Sequence, residues 1–139
     1  MVFDPATAPR GREPFMMWYS QQTKWAEDHN YQDHAVTSDA LKAWYLDMIK
    51  QFPPMNGPLR SDDFDDPKVT DYSVGHHVIY AAFGWSQAEM AHVMMRKLAV
   101  KHAVGFFDVS SDRGEILFPP KSKPSEVSSK SAKPFWKFW

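Results

Sequence analysis

Two adjacent prolines, Pro53 and Pro54, close a helix whose buried face can be read residue by residue. Leu41, Trp44, Tyr45, Met48, Ile49 and Phe52 recur at i, i+3, i+4, i+7, i+8 and i+11. That spacing places all six on one side of a three-turn helix. Proline has no amide donor and clashes with the preceding turn, so the helix ends by residue 52. Ser38 precedes it, and a serine hydroxyl there accepts from an otherwise unpaired amide.

Around this helix the elements fall into order. Residues 1–4 read as a short first strand, limited by Pro5 and Pro9. In 15–28, Phe15, Trp18, Tyr19, Gln22 and Trp25 follow helical spacing. The stretch 53–67 is a long loop rich in Pro, Asn, Gly and Asp. "VTDYSV" (69–74) and the almost wholly apolar "HVIYAAFGW" (77–85) read as strands. The apolar run fits a central strand covered on at least one face, and Gly75 suits a tight hairpin. Ser86 and Glu89 match a capping box ahead of a third helix, 86–102. "VGFFDV" (104–109) and "EILF" (115–118) are two more strands, separated by turn residues. The predicted fold class is α+β: an antiparallel sheet of about four to five strands with helices packed on one face. The element order is compatible with a ferredoxin-like arrangement.

At residue 119 the composition changes. Residues 119–134 are Pro, Ser and Lys with few apolar side chains, as in an extended linker. The predicted organisation is one domain over 1–118, a linker over 119–134 and an aromatic tail over 135–139. Residues 119–139 carry five Lys and one Glu, a net +4. The remaining chain has 11 basic against 16 acidic residues, a net −5. An acidic body argues against a nucleic-acid binder, which needs clustered Lys and Arg. There are no cysteines, which removes disulfides, thiolate metal sites and a cysteine nucleophile. No signal-peptide pattern and no spanning apolar run are evident, so the expected location is cytoplasmic, without stable membrane insertion.

Four features compete as sites. Asp62, Asp63, Asp65 and Asp66 surround Phe64 in the long loop. They fit a solvated loop, a surface for a basic partner anchored by Phe64, or a hard-cation site, although the EF-hand spacing is missing. Phe135, Trp136, Phe138 and Trp139 crowd the tail. They fit docking to a partner or another copy, docking onto the chain's own domain, or interfacial membrane contact. Tyr72, His76, Trp85 and Asp108 are candidates for one cleft, as expected of a small-ligand binder or an enzyme with an unfamiliar site. His29 and His34 flank Asp33, a pattern suited to acid–base work. His76 and His77 point to opposite sides of a strand, which disfavours joint metal ligation. No nucleophile-elbow, phosphate-loop or metal-ligand motif occurs. The expectation is no enzyme, no cofactor, no catalytic residue and no metal.

"FPPMNGP" (52–58), "VTDYSVGHHVIYAAFGWSQAE" (69–89) and "KHAVGFFDVSS" (101–111) resemble segments of small uncharacterised bacterial proteins. Those proteins are associated with polymorphic-toxin and secretion-system genes, where immunity proteins are common. The resemblance spans about residues 40–118 and the last six residues. It implies a single α+β domain and an immunity-like role: a binding protein that neutralises a cognate toxin domain by occluding it. The acidic loop would then meet a basic toxin surface. An adaptor that self-associates through its tail is a further alternative.

Overall fold

The computed structural model describes residues 1–110 and 113–120. Its strands are β1 (Val2–Phe3), β2 (Asp71–Val74), β3 (Val78–Ala82), β4 (Gly105–Phe107) and β5 (Ile116–Leu117). Its helices are α1 (Arg12–Gln22), α2 (Asp39–Met48) and α3 (Ala88–Lys101). The strands form one antiparallel sheet in the order β2-β3-β1-β4-β5. The chain is therefore α+β, as its residues predict. β3 lies between β1 and β2, and β1 lies between β3 and β4. These interleaved β-α-β units have the strand order of the ferredoxin-like arrangement, with β5 added beside β4.

β1 contributes only two residues, yet it occupies the centre of the sheet. Val2 pairs with Ile79 on one side and Phe106 on the other; Phe3 pairs with Val78 and Gly105. Alternation then sends neighbouring side chains to opposite faces. Val2, Ile79, Ala81 and Phe106 join Leu41, Trp44, Tyr45 and Met48 of α2 and Ala91, Met95, Leu98 and Ala99 of α3 in one core. Phe3, Val78 and Phe107 join Phe15 of α1 in a second core. The expectation of helices on one face thus holds for α2 and α3 and is corrected for α1. A central strand apolar on both sides needs two covers, and α1 supplies the second. There Phe3 meets Phe15, Trp18 and Phe118 edge-on, at centroid distances of 5.0, 5.8 and 5.2 Å.

Local chemistry accounts for most boundaries. The Ser38 hydroxyl accepts from the Leu41 amide (3.3 Å), capping α2 as expected. The Trp44 indole donates to the Met95 carbonyl (3.2 Å), tying α2 to α3 within the core. Asp47 extends that tie at the surface. Its carboxylate accepts from Lys50 (3.0 Å) on its own side, and from Lys101 (2.9 Å) and His102 (2.7 Å) at the end of α3.

Three local expectations are corrected. α1 starts at Arg12 and stops at Gln22, short of Trp25, whose φ of +52° is left-handed and cannot continue a helix. The capping box at Ser86 does not form. A short 3-10 turn, Trp85–Gln87, leads into α3 instead, and Gln87 makes no side-chain cap. Gly75 is not left-handed. Among the described glycines that conformation belongs to Gly57 (φ +90°), where a Cβ would stand 2.2 Å from the Gln32 carbonyl oxygen.

The two-sided sheet makes a direct prediction. Phe15→Ala should cost about 3 kcal/mol or more in urea unfolding. Met17→Ala, on the exposed side of the same helix, should change stability by less than about 0.5 kcal/mol. Equal small effects would contradict a second core under α1. A pH prediction follows from Asp47, whose carboxyl Lys101, His102 and Lys50 hold well below the usual range. A depressed carboxylate stabilises the fold above its unfolded pKa of about 4 and loses that contribution as pH falls. Asp47→Asn should therefore lower Tm at pH 7 and flatten its decline between about pH 5 and pH 2.

Candidate functional site

α3 does not lie flat on the sheet along its whole length. Between its first two turns and the ends of β3 and β4 an open cleft of about 580 Å³ remains. Ala81, Phe83, Met95 and Phe106 give it apolar walls, and Glu89, His92 and Asp108 supply ionisable groups. Glu89, His92 and Val93 reach it from one side of α3 because i, i+3 and i+4 share a helix face. His92 meets the Phe106 ring edge-on, at 5.3 Å and 88°. Asp108 follows β4 directly, and its amide donates to the Glu115 carbonyl (2.9 Å). Its carboxylate accepts from the Ser110 hydroxyl and from the Ser110 amide (3.0 Å). These bonds, with His92 nearby, hold the Asp108 carboxyl below the usual range against partial burial. Beside the cleft the Arg96 guanidinium engages Glu115 in two bonds, at 3.0 and 3.1 Å.

Trp85 stands in the turn joining two lining residues, Phe83 and Ala88, and is 99% exposed. The same stretch leaves Met90 and Val93 exposed. Large apolar side chains are thus gathered beside an open apolar cleft.

The four residues expected to share one cleft do not. Asp108 lines the cleft just described, and Trp85 lies in the turn beside it. Tyr72 is in the core, where its hydroxyl donates to the Phe52 carbonyl (2.7 Å) and burial lifts its pKa well above the ordinary phenol range. His76 is in the loop between β2 and β3. β3 and β1 separate β2 from β4, a span of about 14 Å at three strand spacings. Sequence proximity to strands could not reveal that separation. Of the His29–Asp33–His34 pattern only the Asp33–His34 pair stays together, at 3.9 Å. Asp33 caps Ala35 (2.9 Å), His34 stacks on Tyr45 (5.1 Å, 18°), and His29 turns to Glu27 instead.

The acidic loop is largely exposed, with Asp66 half-buried. Phe64 is 67% accessible, and among the described residues none of Asp62, Asp63, Asp65 and Asp66 enters a salt bridge. The loop is nonetheless braced. Ser61 donates to the Pro54 carbonyl (2.8 Å), Asp65 to the Asp63 carboxylate (3.2 Å) and Lys68 to the Asp66 carboxylate (2.9 Å), all through backbone amides. Phe135, Trp136, Phe138 and Trp139 lie outside the described residues, as does the linker beyond Pro120. Among the described residues no helix is long and apolar enough to cross a membrane.

No family model, curated protein or solved structure matches the chain. The functional reading rests on the chemistry of the surface itself. Glu89 and His92 were legible as one helix face, but nothing local showed that β4 ends opposite them. Because Trp85 packs against almost nothing, Trp85→Ala should leave the urea midpoint unchanged to within about 0.5 kcal/mol. A larger loss would show that the indole supports the fold.

Proposed function

We propose that this chain is a protein-binding domain that acts by occluding its partner. The observation that carries the reading is Trp85, almost wholly exposed in the turn bordering an apolar cleft. Tryptophan is the commonest kind of binding hot spot, and a preformed cleft beside it accepts an apolar anchor at little ordering cost. The surface charge supports a basic partner. Glu89 and Asp108 line the cleft, and the braced acidic loop presents Phe64 among four carboxylates. A basic surface carrying an apolar anchor complements both features, and opposite charge speeds and orients such encounters. The cognate toxin domain implied by the sequence resemblance is a partner of this kind when its own target is a polyanion. The aromatic tail would add a second contact, to that partner or to another copy.

A second reading has one specific support. The cleft volume of about 580 Å³ falls within the range of small-molecule sites. One experiment separates the two. Full-length protein is isolated from its native cells, beside Trp85→Ala and Val93→Glu variants, and weighed by native mass spectrometry. The protein-binding reading expects one stoichiometric protein partner, with affinity reduced about thirtyfold or more by Trp85→Ala. A retained small molecule lost from Val93→Glu would favour the ligand reading. A partner held equally by all three proteins would show that this surface is not the one used.

A further inference from the structure

Away from the cleft, two distant segments bring three metal-type donors together. The Glu27 carboxylate, His29 and His76 each offer an atom, and these atoms all lie within 4.8 Å of one another. His29 Nε2 is 2.6 Å and His76 Nε2 is 3.8 Å from Glu27 Oε1. Two imidazoles and a carboxylate suit borderline divalent ions of the first transition row rather than calcium or magnesium. We propose that Glu27, His29 and His76 bind a divalent transition-metal ion of the zinc class.

The surroundings of His76 are arranged as such a site requires. His76 Nδ1 lies 2.9 Å from the Val36 carbonyl oxygen. A carbonyl only accepts, so Nδ1 carries the proton and the neutral ring has its lone pair on Nε2, towards Glu27. Carbonyl support behind a ligating imidazole is the usual outer brace of metal-bound histidine. The His76 side chain is half exposed, at 50%, which gives an ion a path in from solvent. The Glu27 carboxylate also accepts from the His76 amide (3.0 Å), which fixes it beside the two rings.

The 25–31 loop is also held in an unusual shape. Trp25 and Tyr31 both have left-handed backbones, with φ of +52° and +63°. Such conformations cost free energy in non-glycine residues and persist only where the surroundings impose them. Here the Tyr31 hydroxyl accepts from the Glu27 amide, the Tyr31 carbonyl accepts from the Val74 amide (2.9 Å), and the Trp25 and Tyr31 rings meet edge-on at 5.2 Å. The result carries Glu27 and His29 up to the β2–β3 loop that holds His76.

His29 supplies the chemical step. Its Nδ1 accepts from the Tyr31 amide (3.1 Å), so in the metal-free neutral ring Nε2–H donates to Glu27. An arriving ion replaces that proton. Nε2–H is released to solvent, Nδ1 takes a proton from solvent, and the Tyr31 amide gives up its acceptor. The Glu27–His29 separation opens to about 3.3 Å, the spacing of two ligands about 2.0 Å from a tetrahedral ion. Three protein ligands leave at least one position for water.

The test uses untagged full-length protein and Zn²⁺ alone. Titration calorimetry should show one equivalent bound, weakened at least tenfold by Glu27→Gln and by His76→Ala. Circular dichroism of the metal-free variants checks that they are folded. A second measurement needs no variant: in ¹⁵N NMR, Zn²⁺ should shift Nε2 of His29 and His76 and the Tyr31 amide, and EDTA should reverse the shifts. No heat and no shift would overturn the site. Binding that survives both Glu27→Gln and His76→Ala would do the same, because the ion would then sit elsewhere.

Discussion

The structure depends on two buried residues at the centre of its sheet. Val2 and Phe3 form the shortest of central strands, and both are completely inaccessible to solvent. They hydrogen-bond β3 on one side and β4 on the other, joining the two halves of the sheet. Val2 faces the α2–α3 core and Phe3 the α1 core. This double duty requires Gly105 opposite Phe3, since a Cβ there would lie 2.2 Å from the Phe3 ring. Loss of β1 would open both cores at once.

That arrangement also makes the surface features available. The bonds of β1 and β5 to β4 place Asp108 just beyond the sheet, opposite the first turns of α3. The helix is held at its other end, where Lys101 and His102 reach Asp47 on α2. Anchored there, α3 leaves its N-terminal part over an open cleft, and the 3-10 turn before it projects Trp85 outward. The proposed binding surface is thus the edge of the core where packing stops.

Much of the fold was legible because its signals are local. The α2 stripe, its Ser38 cap and the five strand-like runs each depend on residues within a few positions of one another, although α2 ends at Met48, ahead of Phe52 and the prolines. Expectations failed where a local pattern had two outcomes. Ser86-x-x-Glu89 is a capping box only if Ser86 precedes the first helical turn, and here a 3-10 turn intervenes. Trp25 continued a helical spacing that its own left-handed backbone breaks.

The sequence by itself determined the α+β class, the helix faces, the break in composition at residue 119 and the exposure of the acidic loop. Each follows from periodicity, proline geometry or charge, which act over one or two turns of chain. Only the tertiary structure decided that α1 covers the second face, that two strands separate the strand of Tyr72 from the one that Asp108 follows, and that Glu27 and His29 meet His76. Those outcomes depend on which strands become neighbours. Strand order is set by the joint burial of side chains far apart in the chain, here the two faces of β1, and no short window of residues contains that information.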